Sequence, residues 1–579
     1  MASNDTTPAD TAKQKCGLTL LALPRELRDF IYEYYIRLSG PDGYVYDFEA
    51  NKLRTSDKKP IDLSLMYTCR QVACEMRGMA LRIQTVTFTT LYSEDLRPRA
   101  GRFCYYLCEM LPIRILRDLV PRMSDEMRRE VTQRFGTDIL YFLTHEPDAF
   151  DLDGTLDGLQ WREPQYTFYT AKTTVFRIAM ADARLRDHVM AQLPPTASVN
   201  NVLKAIEMAE NPWRIPTVAE LDILALVTGV TVPEYERPDA WHSHFDWRHH
   251  PWKTWEDMPG RYRFSAVSAA IHFLGSMPAS TRLDMRNLVV HEDRFSVPWP
   301  ESHARGLAPF CAENPLLRIE RRVSLWWTVW MANLRGNRVW HYCSIVQWPT
   351  TLSADVSEFT YLVAVWMTEA ANSEIPNQVT LLLDGEVNAL QASDIFCGIL
   401  HRDVAWQVLA DRLFRPASAP SIAALGRPEP STVRKSDFGL IQNEYYLYDA
   451  FPMLLRNMCK AHDPSLPISS NNSARVRCNF FPGEPWDECR VTALIEENKD
   501  DIDTTHGWVY GLERKLSERA QGRFRHPCPL PVNRHGDRSL KSLCTCSIED
   551  GTTDGEINKG PASVEDAPDY SLNLLFDLE

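Results

Sequence analysis

The sequence predicts an α+β fold, mainly helical: a small N-terminal helical module followed by a larger, irregular helical domain with a few strands. Three observations predict it. Apolar residues recur at three-to-four spacing over most of the 579 residues, the period of a helix with one buried face. Only a few short stretches alternate, or run continuously apolar, in the way strands do. No unit of 20–50 residues repeats, which sets aside a regular solenoid. Apolar residues make up 44% and charged residues 24% of the chain, so its composition is that of an ordinary packed protein.

The elements follow in order. Residues 1–16 are polar and read as a disordered leader. A module over 17–95 comes next. In it Leu23, Leu27, Phe30, Ile31 and Tyr34 share one helical face, with Pro24 suited to the first turn. Ser39-Gly40-Pro41-Asp42-Gly43 ends that helix. Tyr44 to Phe48 reads as a short strand and Glu49 to Lys59 as a polar, hairpin-like stretch. A second helix carries Leu65, Cys69, Val72, Met76 and Met79 on one side. In Thr85 to Thr90, Val86 and Phe88 alternate with threonines, a strand pattern.

Residues 96–240 form a helical region, interrupted by a loop from Glu146 to Gln165 and by Pro194-Pro195. A Trp-, His- and Pro-rich connection occupies 241–260. An α+β body is expected over 261–525. Within it Phe264 to Met277 is helical, Asn287 to His291 a strand, and Pro315 to Leu334 a long amphipathic helix aligning Ile319, Val323, Trp326, Trp330 and Leu334. Val379 to Leu383 reads as a buried strand before the turn at Asp384-Gly385. Further helices are expected within 393–413 and 440–460, with linkers near 415–433 and 463–474. Residues 526–579 are an acidic, largely disordered tail.

Charge narrows the partners. The net charge is −14, and Ile548 to Glu579 holds nine acidic residues against Lys559 alone, a net of −8, leaving −6 for the rest. No domain-scale basic excess offers a footprint for nucleic acid. The most apolar short run, Tyr361 to Met367, is far below the roughly 20 residues that span a bilayer, so no membrane association is expected. Fourteen cysteines are scattered, many among apolar residues as at Cys104, Cys108 and Cys397. That usage suits free thiols in a reducing compartment, and a cytoplasmic or nuclear location is expected. Asn471-Asn472-Ser473 fits a glycosylation acceptor, which should stay unmodified in that compartment.

Two separated strings look alike in origin. Leu20-Leu21-Ala22-Leu23-Pro24-Arg25-Glu26-Leu27-Arg28-Asp29-Phe30-Ile31-Tyr32 resembles the first helix of F-box and F-box-like domains. Leu65-Met66-Tyr67-Thr68-Cys69-Arg70-Gln71-Val72-Ala73-Cys74-Glu75 resembles their later helix in fungal proteins. The resemblance covers roughly residues 17–95. It implies docking onto a Skp1-type adaptor of a ubiquitin ligase, with the C-terminal region choosing a protein substrate. Leu23, Pro24 and Leu27 match the adaptor-facing start, and Ile31 continues that face. A compact F-box turns directly into its next helix, whereas Leu38 to Ile61 intervene here. A related fungal module with Glu-x-Arg triplets, matching Glu26-Leu27-Arg28 and Glu75-Met76-Arg77, is an equal comparison. A helix start of this kind fills a partner's groove, or else Leu23, Leu27 and Ile31 pack on the second helix of the same chain. The strings His291-Glu292-Asp293, Pro300-Glu301-Ser302-His303 and Ile319-Glu320-Arg321-Arg322 resemble a block of uncharacterised fungal proteins with no associated activity.

Signals for chemistry are weaker. Asp151-Leu152-Asp153-Gly154-Thr155-Leu156 resembles the first motif of haloacid-dehalogenase-type phosphatases, where the first carboxylate attacks phosphorus. The preceding His145 to Phe150 is too polar and Pro-broken for the strand that chemistry needs, so a turn-rich loop is expected. A cryptic hydrolase at Asp151 and Asp153 remains the alternative to protein recognition, beside a structural protein that binds no adaptor. His242, His244, His249 and His250 crowd a Pro-rich loop, and Cys528, His535, Cys544 and Cys546 lack paired knuckles. Neither is expected to hold a metal, and no cofactor is expected. Arg318, Glu320, Arg321 and Arg322 read as a solvated helix face rather than partners of Glu292 and Asp293. Tyr570 to Glu579 sets apolar anchors at the end of the acidic tail, for docking or self-packing. The expected function is non-enzymatic protein recognition through Leu23, Pro24, Leu27 and Ile31.

Overall fold

A computed structural model describes residues 19–93, 95–109, 113–136, 139–144, 165–229, 262–330, 356–386, 388–401, 404, 450–461 and 475–484. The expected leader, the connection over 241–260, both linkers and the acidic tail lie outside the described residues. So do the Asp151/Asp153 loop, the His242–His250 cluster, the tail cysteines, the Asn471 acceptor and the final apolar segment. Within the described part the protein is α+β and mainly helical, with a mixed seven-stranded sheet. The chain divides into two compact units: residues 1–87 with 278–288, and residues 88–277 with 289–579.

The first unit opens with a short 3-10 turn, Leu20–Ala22, then α1 over Arg25–Ser39, with Pro24 directly before it. Proline suits that place because its fixed φ and missing N–H cost nothing at a helix start. Next come β1 (Tyr44–Asp47) and β2 (Lys52–Thr55), an antiparallel hairpin pairing Tyr44 with Thr55 and Asp47 with Lys52. Asp47 and Arg54 form an ion pair across it. A 3-10 turn at Ser64–Tyr67 leads to α2 (Arg70–Met76) and α3 (Met79–Ile83), and β3 (Thr85–Thr89) then runs parallel to β1.

The expected single second helix is therefore broken twice: at Cys69, whose extended backbone separates the 3-10 turn carrying Leu65 from α2, and again after α2. The reason for the second break is Gly78, which has φ +72° and separates α2 from α3. A Cβ there would lie 2.0 Å from Asp284 Oδ2, so glycine is required by sterics as well as by the backbone. Asp284 also pairs with Arg82 at 3.0 Å, tying 278–288 to α3.

The second unit holds a run of helices between Leu96 and Thr228. The break expected at Pro194-Pro195 falls between Ala183–Gln192 and Val199–Ala209, the latter capped by Ser198. Thr217 and Glu220 form a reciprocal capping box at the start of Val218–Thr228. The helix Ala266–Ser276 is mostly buried and is capped by Ser265. It is followed in the chain by β4 (Asn287–Glu292), β5 (Arg318–Ser324), β6 (Val379–Asp384) and β7 (Val476–Cys478).

In the first unit β1 lies between β2 and β3, and in the second β6 lies between β5 and β7. The β5/β6 and β6/β7 pairs are parallel, with Ile319 opposite Val379 and Leu381 opposite Val476. Val323, Trp326, Trp366, Leu383, Phe396, Phe451 and Phe480 belong to the core cluster beside them. The expected long helix over Pro315 to Leu334 is corrected here: β5 occupies its first half and a π-helical turn, Leu325–Trp330, follows. Ile319, Val323 and Trp326 fit a helical period, but Ile319, Arg321 and Val323 also fit period two, and parallel pairing with β6 decides it. Trp326 is core, as its apolar stripe implied, with its indole N–H donating to Gly385 O at 2.9 Å.

Candidate functional site

The first unit presents a two-faced helix. The inner face of α1 is formed by Arg28, Tyr32 and Ile36, all buried, with Tyr35 at its edge. Tyr32 and Ile36 pack with Val72 and Met76 of α2 in a small cluster fringed by Leu20, Leu65, Met66 and Ile83. Such a cluster holds α1 by burying apolar surface, at about 25 cal/mol per Å².

A polar lock adds orientation. Arg28 grips Glu75 of α2 with a two-pronged fork, Nε to Oε2 at 2.9 Å and NH2 to Oε1 at 2.6 Å. Tyr32 donates its hydroxyl proton to Glu75 Oε2 at 2.8 Å, and Gln71 donates to Oε1 at 3.0 Å. Arg28 also donates to Leu23 O, which fixes the chain entering the helix. Arg25 donates to Glu75 O at 3.2 Å. The Arg28 fork, with Gln71 and Tyr32, holds the Glu75 carboxyl down at about 2, well below the usual carboxylate range. Burial pushes the Tyr32 phenol upward, and Glu75 adds to the rise.

The outer face of α1 is apolar and open. Exposure is 48% at Leu27, 68% at Phe30, 39% at Ile31, 66% at Tyr34 and 63% at Leu38. At 100° per residue these five fall within one arc of about 100°, a continuous stripe. Isolated exposed hydrophobes are unremarkable, whereas these five, two of them aromatic, are aligned in one contiguous apolar patch. The turn Ser64–Tyr67 sits beside α1, with Leu65 N–H donating to Tyr35 Oη at 3.4 Å, and exposes Leu63 and Tyr67.

Of the four residues predicted to meet a partner, Leu27, Ile31 and Pro24 are exposed and Leu23 is half-buried. Within this unit Leu27 and Ile31 are therefore not consumed by packing on α2. Phe30 and Tyr34 share their face, and Leu38 extends it. Sequence reasoning missed the opposite face, in which Arg28 and Glu75, charged residues 47 positions apart, turn inward as a pair. The signal was present as the two Glu-x-Arg triplets, since the arginine of the first meets the glutamate of the second.

A second polar centre lies in the other unit, where the strings His291-Glu292-Asp293, Pro300-Glu301-Ser302-His303 and Ile319-Glu320-Arg321-Arg322 converge. Glu292 at the end of β4 is fully buried and accepts the Ala266 backbone N–H at 2.9 Å. That N–H belongs to the buried first turn of the Ala266–Ser276 helix, where a negative charge is favoured. Arg321 of β5 reaches Glu292 at 3.2 Å, donates to Glu301 O at 2.7 Å and to Pro300 O, and lies over the Trp366 ring at 4.5 Å. The solvated helix face expected for Arg321 is thus corrected: it is a buried strand residue paired with Glu292. Burial drives the Glu292 carboxyl upward, against the pull of Arg321.

His303 completes this centre. Its Nε2 is 2.6 Å from Pro298 O, and a carbonyl only accepts, so Nε2 carries the proton. Nδ1 then accepts the Ser265 hydroxyl proton at 2.6 Å, while Ser265 Oγ accepts Ser268 N–H at 3.0 Å. Burial, helped by Arg321, pushes the imidazole down to about 3. A serine bonded to an imidazole has the contacts of a nucleophile and its base. Here, though, Ser265, Ser268 and His303 are sealed at 1% exposure or less, and the arrangement braces the core instead.

Comparison with known proteins leaves these geometries to speak alone: no family model, no curated protein and no solved structure matches the chain. Among the described residues, no group of three or more His, Cys, Asp or Glu is placed to hold a metal ion. No helix among them is long and apolar enough to cross a membrane.

Proposed function

We propose that the N-terminal unit is a protein-docking module whose outer α1 face receives another protein, and that this protein is a Skp1-type adaptor. The carrying observation is the division of α1 into an inner face locked by Glu75, Val72 and Met76 and an outer stripe left in solvent. Helix-in-groove recognition uses anchors at i, i+3, i+4 and i+7, the spacing of Leu27, Phe30, Ile31 and Tyr34. Pro24 and Leu23 begin the same surface, and the Arg28–Glu75 lock presents it with little motion on binding. The resemblance of both strings to F-box-like helices supplies the adaptor, and the rest of the chain then selects a protein substrate. The reaction belongs to the assembled ligase, and this chain contributes recognition.

Co-purification of the full chain with a Skp1-type adaptor tests the reading. Binding by the wild type, lost in Leu27→Asp and in Ile31→Asp while the fold is kept, is the expected outcome. Absence of adaptor binding by the folded wild type overturns it.

A further inference from the structure

We propose that the outer face of α1 also binds a second copy of this chain, with two α1 helices packed antiparallel about a twofold axis. The inference goes beyond adaptor docking and does not rest on it, although the two use one surface and exclude each other.

The stripe is close to palindromic. Leu27 and Leu38 stand at its ends, with Phe30, Ile31 and Tyr34 between. An antiparallel pair brings Leu27 of one copy against Leu38 of the other, and Ile31 against Tyr34. That is the self-complementarity an isologous interface demands.

Charge selects the same arrangement. Glu26 and Arg37 are both exposed and border the stripe. Eleven residues apart, they lie within about 20° of one another around the helix and about 16 Å apart along it. A twofold axis across the helices keeps that flank on one side and reverses direction, so Glu26 of each copy meets Arg37 of the other at both ends. Among the described residues Arg37 is held by Glu33 of the same helix, at 2.7 Å, with 61% of its side chain in solvent. It is free to share its remaining donors with an incoming carboxylate.

Area sets the strength. From their exposures the five apolar side chains offer on the order of 600 Å², with the two rings supplying about half. A standard interface buries about 800 Å² per partner, so this one lies at the small end, where association is weak and transient. The stripe is also as large as the apolar patches that single proteins ordinarily tolerate, about 300–600 Å².

Sedimentation velocity of the full chain across the micromolar range tests the proposal. The wild type should move from monomer to dimer with concentration. Glu26→Arg alone, or Arg37→Glu alone, should raise the dissociation constant about 5–10-fold, and the two together should return it to within about threefold of wild type. A wild type that stays monomeric at every concentration overturns the proposal, as does a dimer indifferent to both single changes or not recovered by the pair. Adaptor binding is measured separately, with adaptor in excess. A chain that binds adaptor without self-association loses this inference alone, and one that self-associates without adaptor binding loses only the docking function.

Discussion

His303 gives the second unit a measurable dependence on acid. Its imidazole is neutral and fully enclosed, donating to Pro298 O and accepting from Ser265, and it titrates at about 3 instead of 6.5. Below pH 6.5 the unfolded chain takes up a proton that the folded chain refuses, so stability from this residue falls as pH falls. Half of the unfolded imidazoles are already protonated at pH 6.5 and the slope then approaches about 1.4 kcal/mol per unit, hence about 2.3 kcal/mol between pH 6.5 and pH 4.5. Glu292 and Glu369, both buried and raised, push the total the opposite way as they gain protons. Their share cancels when wild type is compared with His303→Asn. Urea unfolding of both proteins at pH 6.5, 5.5 and 4.5, with the transition followed by near-UV circular dichroism, should show the gap narrowing by about 2–3 kcal/mol towards acid. The offset at neutral pH is immaterial, because the slope is what is read. Two curves that run parallel from pH 6.5 to 4.5 refute the buried neutral imidazole.

Three further perturbations test the packing. Arg321→Met leaves the buried Glu292 charge without its partner and should cost about 3–5 kcal/mol in urea unfolding, much of it recovered when Glu292→Leu is added. Gly78→Ala forces a left-handed residue against Asp284 and should destabilise the first unit by at least about 1–3 kcal/mol, seen as a lower denaturation midpoint. Ile36→Ala and Phe30→Ala, on opposite faces of one helix, should separate clearly: about 2–5 kcal/mol lost for the first, within about 0.5 kcal/mol of wild type for the second.

Much of the sheet was legible because its strands keep a clean period. Val86 and Phe88 alternate with threonines in β3, and Val379 to Leu383 is an uninterrupted apolar run in β6. β5 was not legible as a strand. Its spacing of Ile319, Val323 and Trp326 satisfies two periods at once, and the partner that decides between them lies 60 residues later in β6. The break after α2 was marked by Gly78, but the reason it must be glycine is Asp284, over 200 residues away.

The candidate surface was half legible. Three-to-four spacing exposed the stripe of Leu27, Phe30, Ile31 and Tyr34, yet periodicity says that a face exists and not which way it points. The direction is set by Arg28 meeting Glu75, a pairing between charged residues that local pattern assigns to solvent. The same blindness hid Arg321. A charge flanked by charges reads as surface, and it is the Glu292 carboxylate with the Pro300 and Glu301 carbonyls that offsets its burial.

The most direct measurement is a calorimetric titration of a Skp1-type adaptor into the full chain and into Phe30→Ala. About two thirds of Phe30 is in solvent, so its ring has roughly 140 Å² left to bury, worth at most about 3 kcal/mol on docking. The account predicts saturable binding by the wild type, weakened up to about 100-fold by Phe30→Ala at unchanged fold stability. Equal affinity for both proteins, or no heat of binding from a folded wild type, contradicts it.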